Sequence, residues 1–334
     1  MAPTRRDFME GAAAVSAVAT AAGVVNRAIA QTPTNANVKA VQTPVLDIGY
    51  EEHGDPEGQA AILLHGFPYD IRSFDGVTGP LAAAGYRVLV PWLRGYGPTR
   101  FRDPDHPRTA EQAALAQDLI DFADALGIER FAVSGFDWGN RAACCAAVLH
   151  PERFIGMATA GGYTVQNTVT PGGAMPARLA SMFWYMWFFN TDAGERSLRA
   201  DRHDIIRYLW ETWSPAWEYS DADYARSAPS FDNPDFVDIV IHSYRHRQLN
   251  APGEERFLED ERRLAERPAI DIPTIVLRPG ATGLGGRPSP DPTGDRERFT
   301  NLLDRRIVED AGHDLPAHRP DAVADALLEL LAQA

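Results

Sequence analysis

The chain has 334 residues, 45% of them hydrophobic and 23% charged, which suits one large packed domain or one domain carrying an insertion. Its formal net charge is −14 and Lys39 is its only lysine. Phosphate backbones repel such a surface, so nucleic acid is not an expected partner. Residues 1–30 read as an address rather than as structure. Arg5-Arg6 precede an apolar, small-residue stretch from Gly11 to Val25, and Ala28-Ile29-Ala30 forms an A-x-A cleavage pattern. This is the pattern of a twin-arginine export signal, so a periplasmic or secreted protein is expected. The apolar stretch is shorter than the ~20 residues a bilayer requires, and no membrane span is expected elsewhere. Residues 31–43 are expected to be a flexible leader.

The core elements then follow in order. Val45 to Glu51 and the apolar run Ala60 to Leu64 read as strands. Ser73 to Gly85 reads as a helix, Tyr86 to Pro91 as a strand, and Thr109 to Gly127 as a long amphipathic helix with Thr109 at its N-cap. Phe131 to Gly135 is an expected strand, Asn140 to His150 a helix, and Phe154 to Gly161 a strand. Strands spaced by helices predict βαβ units and a mostly parallel, doubly wound sheet over 44–162. From 163 to 268 no strand pattern survives. Aromatics and arginines dominate there, including Tyr185, Trp210, Trp213 and Trp217, and a helical lid is expected. The sheet pattern resumes over 269–334, with strands at Thr274 to Leu277 and Arg306 to Glu309 and a closing helix from Pro320 to Leu331. Cys144 and Cys145 are adjacent, a spacing that disfavours a disulfide between them, and they sit in an apolar helical run. No Cys/His cluster has metal-ligand spacing, and no cofactor is expected.

The chemistry concentrates at Gly135-Phe136-Asp137-Trp138-Gly139, between an expected strand and an expected helix. Two glycines around a central residue at that junction permit the tight turn that lifts a nucleophile above a sheet. His65-Gly66-Phe67-Pro68 follows the second strand, Arg94-Gly95-Tyr96-Gly97 the third, and Ala311-Gly312-His313 the last. A nucleophile followed by a histidine late in the chain is the order of the α/β hydrolases.

On these motifs the sequence resembles the epoxide hydrolase and haloalkane dehalogenase branch of the α/β-hydrolase superfamily, over residues 44 to 332. The resemblance implies that the Asp137 carboxylate attacks an sp³ carbon to form an ester, and that His313 activates the water that cleaves it. It implies an oxyanion hole made by the backbone N–H groups of Phe67 and Trp138, with His65 structural. Haloalkane dehalogenases usually carry Asn where Phe67 stands, so epoxides are the expected substrates and carbon–halogen bonds the second choice. A lid tyrosine is expected to hold the epoxide oxygen. Tyr244 is the candidate, with Tyr185 or Tyr208 as a second. The aromatic lid implies a small hydrophobic substrate.

The sequence departs from the family at the acid that should orient His313. Neither Arg278 to Leu284 nor Gly162 to Asn167 contains a carboxylate, and Trp92 stands where aspartate is common. Asp291, in the Gly/Pro-rich loop after the Thr274 strand, is the candidate partner, with Asp295 behind it. The alternatives are a dyad without an acid, or a binding protein on the same fold that no longer hydrolyses anything.

Overall fold

The computed structural model describes residues 38–333. The expected export signal and residues 31–37 lie outside them. Nine strands form one mixed sheet among the described residues: β1 (Val38–Gln42), β2 (Leu46–Gly54), β3 (Ala60–Leu64), β4 (Arg87–Pro91), β5 (Arg100–Phe101), β6 (Phe131–Phe136), β7 (Phe154–Ala160), β8 (Thr274–Pro279) and β9 (Leu302–Val308). The order across the sheet is β1-β2-β4-β3-β6-β7-β8-β9, with β5 paired to β2. The pairs β1–β2 and β2–β4 are antiparallel, and every pair from β4 to β9 is parallel. β3, β6 and β7 are buried at every residue, as a parallel sheet covered on both faces requires.

The leader expectation is corrected at its end. Val38–Gln42 is a strand, held in register against β2 from Val38↔Glu51 to Gln42↔Asp47. Its side chains are nearly all exposed, so main-chain pairing forms it and no apolar pattern marks it in the sequence.

Helices cover the sheet: α1 (Asp75–Ala83), α2 (Gln112–Ala125), α3 (Asp137–Leu149) and the C-terminal helix (Pro320–Leu331). α2 packs on α3, and α1 on the C-terminal helix. The helix expected from Thr109 begins at Gln112 instead. The Thr109 hydroxyl donates to Glu254 at 2.9 Å rather than capping.

Between β7 and β8 the chain forms a helical insertion: α4 (Ala177–Met182), α5 (Trp184–Phe188), α6 (Asp192–Ala200), α7 (Arg202–Trp213), α8 (Asp221–Phe231), α9 (Phe236–Arg247) and α10 (Leu258–Ala265). This lid is fastened to the loops that follow the strands. The Trp210 indole N–H donates to the Pro68 carbonyl at 2.8 Å, and the Ser227 and Ser230 hydroxyls donate to Asp70 at 2.7 and 2.6 Å. Asn233 donates to the carbonyls of Gly97 and Thr99. No helix of the described residues is long and apolar enough to cross a membrane.

Candidate active site

β6 ends at Phe136 and α3 starts at the next residue, so the chain must turn from extended to helical backbone within one step. Asp137 takes that step with φ 47°, a left-handed conformation that costs a non-glycine residue on the order of 1–3 kcal/mol. Gly139 permits the crossing: a Cβ there would overlap the carbonyl oxygens of Leu64 and His65. The strained turn places the Asp137 carboxylate at the carboxyl ends of β3 and β6, at the amino terminus of α3. Partial positive charge at that helix end favours an anion.

Both carboxylate oxygens have assigned surroundings. Oδ1 accepts from the Phe67 backbone N–H at 3.0 Å. Oδ2 stands 3.5 Å from Nε2 of His313. The Trp138 N–H lies in the first turn of α3, where amides have no intrahelical acceptor. Burial opposes ionisation of Asp137 most strongly, but His313, Arg141 and Arg247 outweigh it and hold the carboxyl below its usual range. Asp137 is therefore an anion at neutral pH.

His65 is structural, as expected from its place in the loop. Its Nε2 accepts from the Leu93 N–H at 3.1 Å, so the ring proton sits on Nδ1, which donates to the Gly66 carbonyl at 3.3 Å. Burial pushes its pKa down to about 4, so it stays neutral. Arg94 of the next loop is clamped by Asp118, with Nε and Nη2 donating at 2.6 and 2.7 Å.

Aromatic rings close over Asp137. Phe67 stacks on Trp138 at 5.5 Å, Tyr244 of α9 lies 5.6 Å from Phe67 and 5.9 Å from Trp138, and Tyr185 of α5 lies 5.5 Å from Tyr244. Tyr185 meets Trp213 at 4.6 Å, and Trp213 stands edge-on to His313 at 5.1 Å. The two tyrosines are 3% and 1% exposed, and no protein hydrogen bond engages either hydroxyl among the described residues. Burial raises both phenols well above their ordinary range, and both feel the charge of Asp137. They are protonated donors without an acceptor. Tyr208, the other sequence candidate, is 49% exposed and outside this ring.

The expected acid is not at His313. Asp291 is exposed, and its carboxylate accepts from the Thr293 N–H and hydroxyl at 2.9 and 2.7 Å. A short local turn satisfies it and nothing draws it inward. Asp295 is buried, but it neutralises Arg278 and Arg305. The residues after β7 are Gly161 and Gly162, both at positive φ, and the Arg278 side chain packs over Gly162. Asp137 is the only carboxylate within 4.0 Å of the His313 ring among the described residues.

Asp314, beside His313, turns the other way. It accepts from the Ser73 hydroxyl at 2.7 Å and the Ala317 N–H at 3.2 Å. Burial raises its pKa to about 7, and burial likewise lifts Asp70 to about 6. Between the ordinary value of 3.8 and about 7, the folded chain holds a proton on Asp314 that the unfolded chain has lost. Stability from this group therefore falls as pH rises from 3.8 to about 7 and levels off above that. Asp314→Asn, neutral throughout, is expected to gain on the wild type as pH rises from 5 to 8.5. The difference in urea unfolding should widen between those two pH values by on the order of 2 kcal/mol. Equal differences at the two pH values would exclude a protonated Asp314.

Sequence reasoning passed over Arg141 and Arg247. Arg141 lies one helical turn beyond Asp137 on α3, hence on the same face. It is 7% exposed, and its only side-chain hydrogen bond among the described residues runs from Nε to the Thr164 carbonyl at 3.4 Å. Burial, with the charge of Arg247, lowers its pKa to about 10. Arg247, at the end of α9, lies over the rings of Tyr244 and Trp138 at 4.8 and 5.8 Å and has Nη2 buried without a partner. The helical i to i+4 spacing from Asp137 was a usable signal for Arg141. Arg247 had none.

A strained, glycine-flanked turn at a strand end, a histidine after the last strand and a helical lid define an α/β hydrolase. The chain matches the alpha/beta hydrolase fold family over residues 61–276 and belongs to it. It is 32% identical to epoxide hydrolase A of Mycobacterium tuberculosis over 320 residues, covering 88% of this chain and 96% of that protein. Epoxide hydrolase B of the same organism is 38% identical over 104 residues, 31% of this chain and 28% of that protein. The crystal structure of a candidate epoxide hydrolase from Klebsiella pneumoniae superposes with a TM-score of 0.84 at 38% identity, covering 88% of this chain and 96% of that one. Within the family, this is an enzyme of the epoxide hydrolase branch.

Proposed function

We propose that the enzyme opens hydrophobic epoxides through an ester on Asp137, and that His313 drives hydrolysis of that ester. The observation that carries this is the division of labour between the two oxygens of Asp137. Oδ1 is already at the Phe67 N–H, while Oδ2 is free to attack on the side of His313. Attack by Oδ2 on a ring carbon breaks the C–O bond, and the epoxide oxygen leaves as an alkoxide. The hydroxyls of Tyr185 and Tyr244, protonated and without acceptors, supply its hydrogen bonds and its proton. Water activated by His313 Nε2 then adds to the ester carbon. Negative charge develops on Oδ1 against the N–H groups of Phe67 and Trp138, and Oδ2 departs with the product diol.

A single turnover in H₂¹⁸O tests this route. The expected result is ¹⁸O in the Asp137 carboxylate and none in the first diol formed, because water adds at the ester carbon. Label in the diol and an unlabelled Asp137 would mean direct attack of water on the epoxide. Carbon–halogen hydrolysis is the second reading. It is favoured by the Trp138 indole N–H, which is buried without a partner and suits a halide. The two free phenols favour the epoxide, since an alkoxide needs a proton and a halide does not.

A further inference from the structure

Among the described residues, buried Arg141 and half-buried Arg247 stand beside Asp137 without a carboxylate of their own, whereas several other arginines drawn away from solvent have one. Arg94 is clamped by Asp118, Arg278 and Arg305 share Asp295, and partly buried Arg245 meets Glu195 at 2.9 Å. Arg141 and Arg247 have no carboxylate within 4.0 Å among the described residues. Burying an unpaired cation is costly, and proteins normally supply a counter-ion or neutralise the group. Arginine does not lose its proton at working pH. Asp137 is the anion these cations share, and one negative charge does not balance two guanidinium groups. The Nη groups of Arg141 make no hydrogen bond among the described residues, and Arg247 keeps Nη2 unpartnered beneath the lid. A planar fork with open donors suits a carboxylate in particular.

Given Asp137 as the nucleophile, we propose that Arg141 and Arg247 form an anion subsite, and that the preferred substrates are epoxides bearing a carboxylate close to the oxirane ring. Arg141 comes from α3 of the core and Arg247 from α9 of the lid, so the carboxylate bridges the two layers across the reacting carbon. The neighbouring rings of Tyr244 and Trp138 leave apolar surface for the rest of the molecule. The subsite also accounts for the strong local positive charge in a protein of net charge −14.

The test compares 3-phenylglycidate with 3-phenylglycidamide, which share the oxirane and differ in charge. Wild-type kcat/KM is expected to favour the acid at least tenfold. Arg141→Gln and Arg247→Gln should each drive that ratio toward one, chiefly through KM for the acid. Equal losses on both compounds would overturn the subsite, because arginines that only keep Asp137 ionised serve both alike. A wild-type ratio of one or less would overturn it too. Should either variant not fold, inhibition of the wild-type enzyme decides: phenylacetate should bind at least tenfold tighter than phenylacetamide, and equal binding rejects the proposal. If neither glycidyl compound nor styrene oxide is turned over or alkylates Asp137, the hydrolytic mechanism itself is wrong.

Discussion

Asp137→Asn is expected to reduce turnover by at least about 10⁴-fold while leaving the fold intact, because an amide oxygen is a poor nucleophile at sp³ carbon. The substitution is nearly isosteric. Its Oδ1 can still accept from Phe67 N–H, and the strained backbone at φ 47° suits Asn at least as well as Asp. His313→Gln should behave differently. Attack by Oδ2 needs no base, so the ester forms, while the general base that normally supplies about 10²–10⁴-fold is gone. Intact-mass measurement after mixing the His313→Gln protein with styrene oxide should show an adduct of one epoxide mass on the peptide containing Asp137. Ordinary activity in Asp137→Asn, with reversion of Asn to Asp excluded by mass, would rule the nucleophile out. Among the described residues no carboxylate but Asp137 reaches His313, so no separate acid stabilises the imidazolium formed during hydrolysis. Ester hydrolysis is consequently the expected slow step in the wild type as well, and Asp291→Ala should leave the rate unchanged.

The second large effect concerns the lid phenols. Tyr185→Phe and Tyr244→Phe should each slow ester formation by about 10²-fold, the usual loss when one donor to a developing oxyanion is removed. The double variant should lose more. Measured in the His313→Gln background, the rate of adduct appearance isolates this step from hydrolysis. The rings are retained, so the stacking around Phe67 and Trp213 survives and KM should move little. Tyr208→Phe, at an exposed site, is the control. Alkylation at the wild-type rate in both single variants would remove the tyrosines from the mechanism and leave them as packing.

The amino-acid sequence by itself determined the core and the strained turn that carries Asp137. Strand and helix alternation is a local pattern, so β3, β6 and β7 were legible from short, mostly apolar runs, as was the C-terminal helix from its amphipathic period. The turn at Asp137 was legible because its glycines answer a backbone constraint within a few residues. The edge strand Val38–Gln42 was not, because main-chain pairing to β2 holds it and its side chains face water. Nor was the lid's share of the site. Tyr185, Tyr208 and Tyr244 are alike as letters, and only the packing of α5, α7 and α9 turns two of them over Asp137 and the third to solvent. The fate of Asp291 was likewise decided in three dimensions: its own turn satisfies it before it can reach His313. Arg141 and Arg247 are over a hundred positions apart in the chain, and the charge they leave unbalanced exists only where the lid closes on the core. Local periodicity and backbone strain act over a few residues and are written in the sequence, whereas a site's charge balance depends on contacts between distant segments, which only the tertiary structure brings together.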